Sequence, residues 1–258
     1  MTIEIKNEGR VRIVRIDRPD ALNAMNNPVF AGIREALTAA EADDSVAVVV
    51  LTGSGDKAFS AGQDLTEMLA SSEPGTHQFP AMLEAVTSFR KPLIAAVNGL
   101  GVGIGMTVLA HCDLVLMATN ARLRTPFPQL GLAPEAASSY TFANRIGWQN
   151  AAYVLLSGRW FSAEECLQMG FVWRVCDPET LESETLSVAN EIAANPIPSL
   201  IATKELMLES TRRRDDAIAA HRAELRAYGP LLGGLANREA VAAFLEKRDP
   251  DFSAIPGI

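Results

Sequence analysis

The sequence predicts an α/β fold, a largely parallel sheet followed by a helical tail. Three observations point there. Residues 46–52 form a continuous β-branched run of the kind buried on both faces of a sheet. Strand and helix patterns alternate through the first 120 residues, in a strand-strand-helix theme that recurs at least twice. From about residue 180 the apolar spacing becomes helical throughout.

Taken in order, residues 2–7 and 11–16 alternate around Asn7-Glu8-Gly9 and predict a β-hairpin. Asn27-Pro28 opens an amphipathic helix to about residue 43, with the proline at a first-turn position. Gly53-Ser54-Gly55 ends the β-branched strand, and residues 59–65 read as a short strand turning into a helix. Residues 71–75 look like a mobile loop. A helix then runs to Arg90 and is halted by Pro92. Residues 93–97 read as a strand, 98–103 as a glycine-rich turn, 104–111 as a helix and 113–118 as another strand. The tail is expected to be helical over 181–194, 198–214, 216–228 and 238–247. Residues 1–195 are thus expected to form the core and 196–258 a helical oligomerisation region, because a tail apolar on one face often packs against a partner subunit.

Composition narrows the function. The 258 residues are 48% hydrophobic and carry a net charge of −8, which supports a sizeable core and argues against nucleic acid held by a general positive field. Cys112, Cys166 and Cys176 lie in apolar surroundings and read as reduced buried thiols. His77, His111 and His221 are far apart in sequence, so no metal site is expected. The charged, alternating N-terminus is unlike a signal peptide. The longest apolar stretch, residues 93–110, holds Asn98 and four glycines and fits a strand–turn–helix better than a membrane span. A cytoplasmic protein is the expectation.

Three segments carry candidate chemistry. Asn98-Gly-Leu-Gly-Val-Gly-Ile-Gly-Met-Thr107 delivers a strand into glycines that begin a helix. There the backbone can approach a ligand, and unpaired N–H groups can hold developing negative charge on a carbonyl oxygen. The same run also serves for packing alone, and it completes no dinucleotide fingerprint. Ala61-Gly62-Gln63-Asp64 offers a second turn of small residues, and two turns can supply two converging N–H donors. Leu130-Gly-Leu-Ala-Pro-Glu135-Ala-Ala-Ser-Ser139 places one acid among apolar and small residues, where burial raises its pKa toward that of a general acid/base. The plainer reading of Glu135 is a carboxylate at a helix N-terminus after Pro134.

Together these segments resemble the enoyl-CoA hydratase/isomerase (crotonase) superfamily. Arg18-Pro-Asp-Ala-Leu-Asn-Ala-Met-Asn26, Ala58-Phe-Ser-Ala-Gly-Gln-Asp-Leu65, Ala96-Val-Asn-Gly99, Cys112-Asp113, residues 163–172 and Phe244-Leu-Glu-Lys-Arg248 occur in the family's order and spacing, across nearly the whole chain. The resemblance implies a spiral of repeated ββα units with a C-terminal trimerisation region, assembled as a homotrimer or dimer of trimers. It implies an acyl-CoA thioester substrate, with coenzyme A part of that substrate and no separate cofactor or metal. It places the oxyanion-holding N–H groups at Ala61 and Ile104. It places Ala21, Leu22, Ala61, Asp64, Leu65, Gly103, Phe127 and Leu132 at the CoA and substrate site.

One departure is informative. The two glutamates of the family's hydratases align with Thr107 and Phe127, and neither is acidic. Residues 125–140 instead resemble the peroxisomal-type Δ3,Δ2-enoyl-CoA isomerases, where a single glutamate at the position of Glu135 shuttles a proton from C2 to C4. A hydratase or other crotonase-type lyase is the alternative within the family, and a catalytically silent acyl-CoA-binding protein the alternative outside enzymes. His111 and Asp113 read as structural, Ser138 and Ser139 lack a histidine partner at recognisable spacing, and Arg212–Arg214 reads as a solvated helix face, though such a cluster could meet CoA phosphates. Phe244 and Lys247 border the CoA of a neighbouring subunit by resemblance only.

Overall fold

The computed structural model describes residues 2–64, 67, 77–246, 248–253 and 255. The expected hairpin is β1 (Ile3–Glu8) and β2 (Val11–Ile16), antiparallel with Ile3 opposite Ile16. Helix α1 (Asn27–Ala42) begins where Asn26 Oδ1 accepts the Val29 N–H at 3.2 Å. It buries Val29, Phe30, Ile33, Ala36, Leu37 and Ala40, a stripe at helical spacing.

Three strand pairs then follow one another. They are β3 (Val48–Gly53) with β4 (Ala58–Ser60), β5 (Leu93–Val97) with β6 (Leu100–Val102), and β7 (Leu114–Ala118) with β8 (Arg122–Arg124). The first strand of each pair joins one sheet and the second joins another. One sheet runs β1-β2-β3-β5-β7-β10, the last being Arg174–Cys176, and is parallel apart from the hairpin. The other runs β4-β6-β8-β9, with β9 at Phe161–Ser162. Each turn of the chain therefore crosses from one sheet to the other, which is the ββα spiral. Every residue of β3 and β5 is buried, as a strand covered on both faces must be.

Helix α2 (Phe79–Ser88) follows the first pair and packs on α1. The helix after the second pair is one α turn, α3 (Ile104–Thr107), continued as a 3-10 turn over Val108–His111. So the expected helix over 104–111 is split, and the expected turn over 98–103 contains a strand. The third pair is followed by α4 (Ser138–Ser157), which sequence periodicity did not reveal. Gly147 interrupts it at φ 75°, ψ 161°. Next come α5 (Ala163–Gln168) and α6 (Leu181–Ala193), and α6 lays Leu181, Thr185, Val188 and Ala189 on the larger sheet.

The tail is α7 (Ile197–Ser210), α8 (Arg213–Leu231) and α9 (Leu235–Glu246). Each boundary falls within four residues of expectation. Arg213 and Arg214 are not a solvated face. Arg213 donates to the Ala110 carbonyl at 2.5 Å, and Arg214 meets Glu205 at 3.1 Å. The expected loop at 71–75, Leu65 and Lys247 lie outside the described residues. Among the described residues no helix is long and apolar enough to cross a membrane.

Candidate active site

The two small-residue turns touch. A Cβ added to Gly62 would stand 2.6 Å from the Val102 carbonyl oxygen, and one added to Gly105 would stand 2.4 Å from that of Ser60. Gly62 also has φ +92°, a conformation side chains rarely adopt. Only glycine lets the chain leaving β4 lie directly on the chain entering α3.

Which N–H groups face the gap follows from the hydrogen bonds around them. The Ala61 N–H donates to the Leu22 carbonyl at 2.9 Å. The expectation that Ala61 supplies an oxyanion donor is thereby corrected, since that group is spent. Met25 then pairs with the next stretch, donating to the Gly62 carbonyl at 2.7 Å and accepting the Asp64 N–H at 2.9 Å. In an extended strand successive N–H groups point to opposite sides. Gln63 N–H therefore points away from Met25, and among the described residues it has no acceptor. Its side-chain amide lies 2.9 Å from His77 Nε2. Ile104 offers a second free N–H. It is the first residue of α3, its N–H has no acceptor among the described residues, and the Met106 and Thr107 N–H groups return to Gly103 at 2.8 and 2.9 Å.

Glu135 meets the same helix one turn on from Ile104, through Thr107. Thr107, three residues further along α3 and fully buried, donates its hydroxyl to Glu135 Oε1 at 2.7 Å. Burial is the largest influence on this carboxyl and pushes its pKa up to about 8. The Thr107 hydrogen bond opposes that rise, and the charge of Glu224 adds to it. Phe127 and Leu132 are buried and joined by the Leu132 N–H donating to the Phe127 carbonyl at 2.8 Å. Ile104 is buried as well.

Immediately after Glu135 the backbone is unusual. Ala136 and Ala137 both have left-handed φ, 56° and 59°. His111 Nε2 lies 2.8 Å from the Ala136 carbonyl, and burial lowers the His111 pKa to about 4, so the neutral ring donates there. Glu224 of α8 takes the Ala137 N–H at 2.6 Å and the Ser139 N–H and hydroxyl at 2.8 and 2.6 Å. One turn on, the Tyr228 hydroxyl is pushed up to about 12, by burial first and then by the Glu135 charge. Sequence reading missed Glu224. Its trace is the stripe Ala217, His221, Glu224, Tyr228, spaced as one helix face on an otherwise charged helix.

The residues expected at the CoA end form a neighbouring surface. Ala21 closes a 3-10 turn over Pro19–Ala21, and Leu22, at φ 50°, gives its carbonyl to Ala61. Asp64 accepts both Arg18 guanidinium nitrogens at 3.0 Å. Buried Asn23 fastens this loop, accepting the Arg18 N–H at 3.0 Å and donating to Ser54 and Ala58 carbonyls at 2.9 and 2.7 Å. Asp113 is structural. It accepts the Leu93 N–H and Lys204 Nζ, each at 2.8 Å.

A carboxyl poised near neutrality, beside two unspent N–H groups, suits proton transfer next to a thioester carbonyl. The enoyl-CoA hydratase/isomerase family model matches residues 6–254 of this chain. The chain belongs to that family. Its sequence is 34% identical over 253 residues to the 2,3-dehydroadipyl-CoA hydratase of Escherichia coli (strain K12), covering 96% of this chain and 97% of that one. It is 34% identical over 223 residues to the enoyl-CoA delta isomerase 2 of Rattus norvegicus, covering 84% of this chain and 56% of that one. The crystal structure of an enoyl-CoA hydratase/isomerase from Pseudoalteromonas atlantica T6c superposes with a TM-score of 0.92 at 34% identity, over 98% of this chain and all of that one. This member of the enoyl-CoA hydratase/isomerase family is thus an acyl-CoA enzyme. Hydratases and isomerases stand side by side among its relatives, so membership alone does not choose between them.

Proposed function

We propose that the protein is a Δ3,Δ2-enoyl-CoA isomerase with Glu135 as its single proton shuttle. The observation that carries this reading is the Thr107–Glu135 pair, a hydroxyl on a carboxyl at 2.7 Å, where hydration calls for two acid–base groups. Adding water requires one group to activate the water and another to deliver a proton to carbon. Moving a double bond requires one group that takes a proton and returns it.

The mechanism uses this chain's groups alone. The 3-enoyl thioester oxygen lies between the N–H groups of Gln63 and Ile104. Ionised Glu135 removes a proton from C2, and the C–H electron pair moves into a dienolate whose oxygen those N–H groups stabilise. Glu135, now protonated, delivers the proton to C4, and the conjugated 2-enoyl thioester forms. No atom is gained or lost. The apolar side chains of Ile104, Phe127 and Leu132 keep water from the dienolate. Tail residues Leu206, Met207, Leu225, Phe244 and Leu245 expose large apolar surface, which supports a homotrimer or dimer of trimers built through residues 196–258.

The test is to incubate the protein with a 3-enoyl-CoA and follow the ultraviolet absorbance of the conjugated thioester, with Glu135→Gln in parallel. A rise with wild type and none with the variant is expected. The hydratase-named relatives favour the second reading. No rise, together with loss of absorbance from a 2-enoyl-CoA, would replace the isomerase by a hydratase.

A further inference from the structure

We propose that Glu224, on the tail helix α8, is a positioning residue that holds the Ala136–Ala137 turn and thereby aims Glu135 at the substrate. The inference rests on Glu135 being the proton shuttle.

Two successive alanines in the left-handed region are costly and persist only where the surroundings impose them. Ala137 is also the residue before the first turn of α4, a place usually held by Ser, Thr, Asp or Asn because their side chains accept a free N–H. Alanine has nothing to offer there. Glu224 supplies the missing acceptor from 87 residues away, taking the Ala137 N–H on Oε2 and the Ser139 N–H and hydroxyl on Oε1.

The contacts favour the ionised form. Burial raises the Glu224 pKa, and the hydrogen bonds from the Ser139 hydroxyl and the Ser139 and Ala137 N–H groups, two on Oε1 and one on Oε2, oppose that rise. Among the described residues no Arg or Lys pairs with Glu224. His221 Nδ1 is 4.0 Å away, and burial lowers the His221 pKa, leaving that ring neutral. The positive end of α4 is what balances the buried charge. From the other side His111 holds the Ala136 carbonyl, and the Ser138 hydroxyl donates to the Glu135 carbonyl at 2.7 Å. The turn is fixed at each peptide, and the fixed turn gives Glu135 one direction, toward Thr107. A helix of the tail thus completes the acid–base site.

The experiment compares wild type, Glu224→Gln and Glu224→Gln with Ala137→Gly. Glutamine keeps the shape but sets an amide N–H₂ against one of the backbone donors. Expected for Glu224→Gln are at least about tenfold faster amide exchange at Ala137 and Ser139, kcat about tenfold lower and KM within about twofold. Adding Ala137→Gly, which makes the left-handed backbone free of strain, should recover part of kcat. A role confined to stability would lower the melting temperature without this kcat-only loss or its recovery. Unchanged exchange, unchanged kcat, or kcat and KM worsening together without recovery overturns the proposal. If wild type proves to be a hydratase, the same comparison on a 2-enoyl-CoA decides it, and if wild type turns over neither ester, the exchange rates alone decide whether Glu224 holds the turn.

Discussion

Thr107 Oγ1 donates to Glu135 Oε1 at 2.7 Å, so the hydroxyl stabilises the ionised carboxyl against a burial that raises its pKa to about 8. Proton removal needs the ionised form, so kcat/KM should rise with pH and level off above about 8. Thr107→Val keeps the shape and deletes the donor. Its rising limb should move to higher pH by up to about one unit, with the alkaline plateau largely kept. A pH–rate profile decides this, and a limb that stays put or moves down contradicts the assignment.

The same carboxyl has a cost in stability. Its folded pKa lies above the unfolded value near 4.5, so the folded state binds the extra proton between about 4.5 and 8. Stability from this group is full below about 4.5 and is lost as pH rises through about 8. Glu135→Gln carries no charge at any pH. Its melting temperature should match wild type near pH 5 and exceed it by several degrees, roughly 2–4 °C per kcal/mol, at pH 9. Calorimetric scans at the two pH values test the sign, and a gap that narrows toward pH 9 would refute it.

Much of this was legible from residues alone. The hairpin, α1, β3 and β5 follow from local pattern and lie within about two residues of expectation. What escaped was non-local. Strands β6, β8 and β9 have two or three residues and exist because the second sheet pairs them, not because the sequence there favours extension. Helix α4 shows no clean stripe, since Gly147 breaks it and Trp148, Tyr153 and Leu156 face outward. Glu135 could be singled out as an acid among apolar neighbours, but Glu224, which takes the Ala137 N–H from 87 residues further along the chain, could not be paired with it from local pattern. The glycine-rich turn was visible, yet which N–H faces the gap depends on the pairing with Leu22 and Met25. Ala61 and Gln63 flank Gly62 in the same turn, and they are told apart by Leu22, which takes the Ala61 N–H.

Asn23 should matter to both folding and CoA binding. It is fully buried, adopts φ 56°, and makes three hydrogen bonds to backbone groups of Arg18, Ser54 and Ala58. Asn23→Ala leaves those groups unpaired and places alanine in the left-handed region. A loss of about 2–4 kcal/mol is expected in urea unfolding. The loop it holds carries Arg18, Ala21 and Leu22, so KM for the CoA ester should rise more than kcat falls. A purely proportional fall in active protein, with KM unchanged, would show that this loop does not meet the ligand.

The contact between the two turns is open to a direct test at Gly62. An alanine there takes the strain of φ +92° and drives its Cβ to 2.6 Å from the Val102 carbonyl oxygen. Backbone atoms on both sides must shift, and the Gln63 and Ile104 N–H groups separate. Loss of one well-placed oxyanion donor costs about a hundredfold to a thousandfold in turnover. Gly62→Ala is therefore expected to lower kcat by at least about a hundredfold while the protein still unfolds cooperatively. Gly170→Ala is the control. Its φ is +77°, nothing lies within 4 Å of the added Cβ, and it sits at the end of α5, away from the turns. It should carry only the loss that comes from the left-handed backbone, about 1–3 kcal/mol, with kcat kept. If Gly62→Ala turns over within threefold of Gly170→Ala, the two turns do not form the oxyanion site, and the thioester oxygen is held elsewhere.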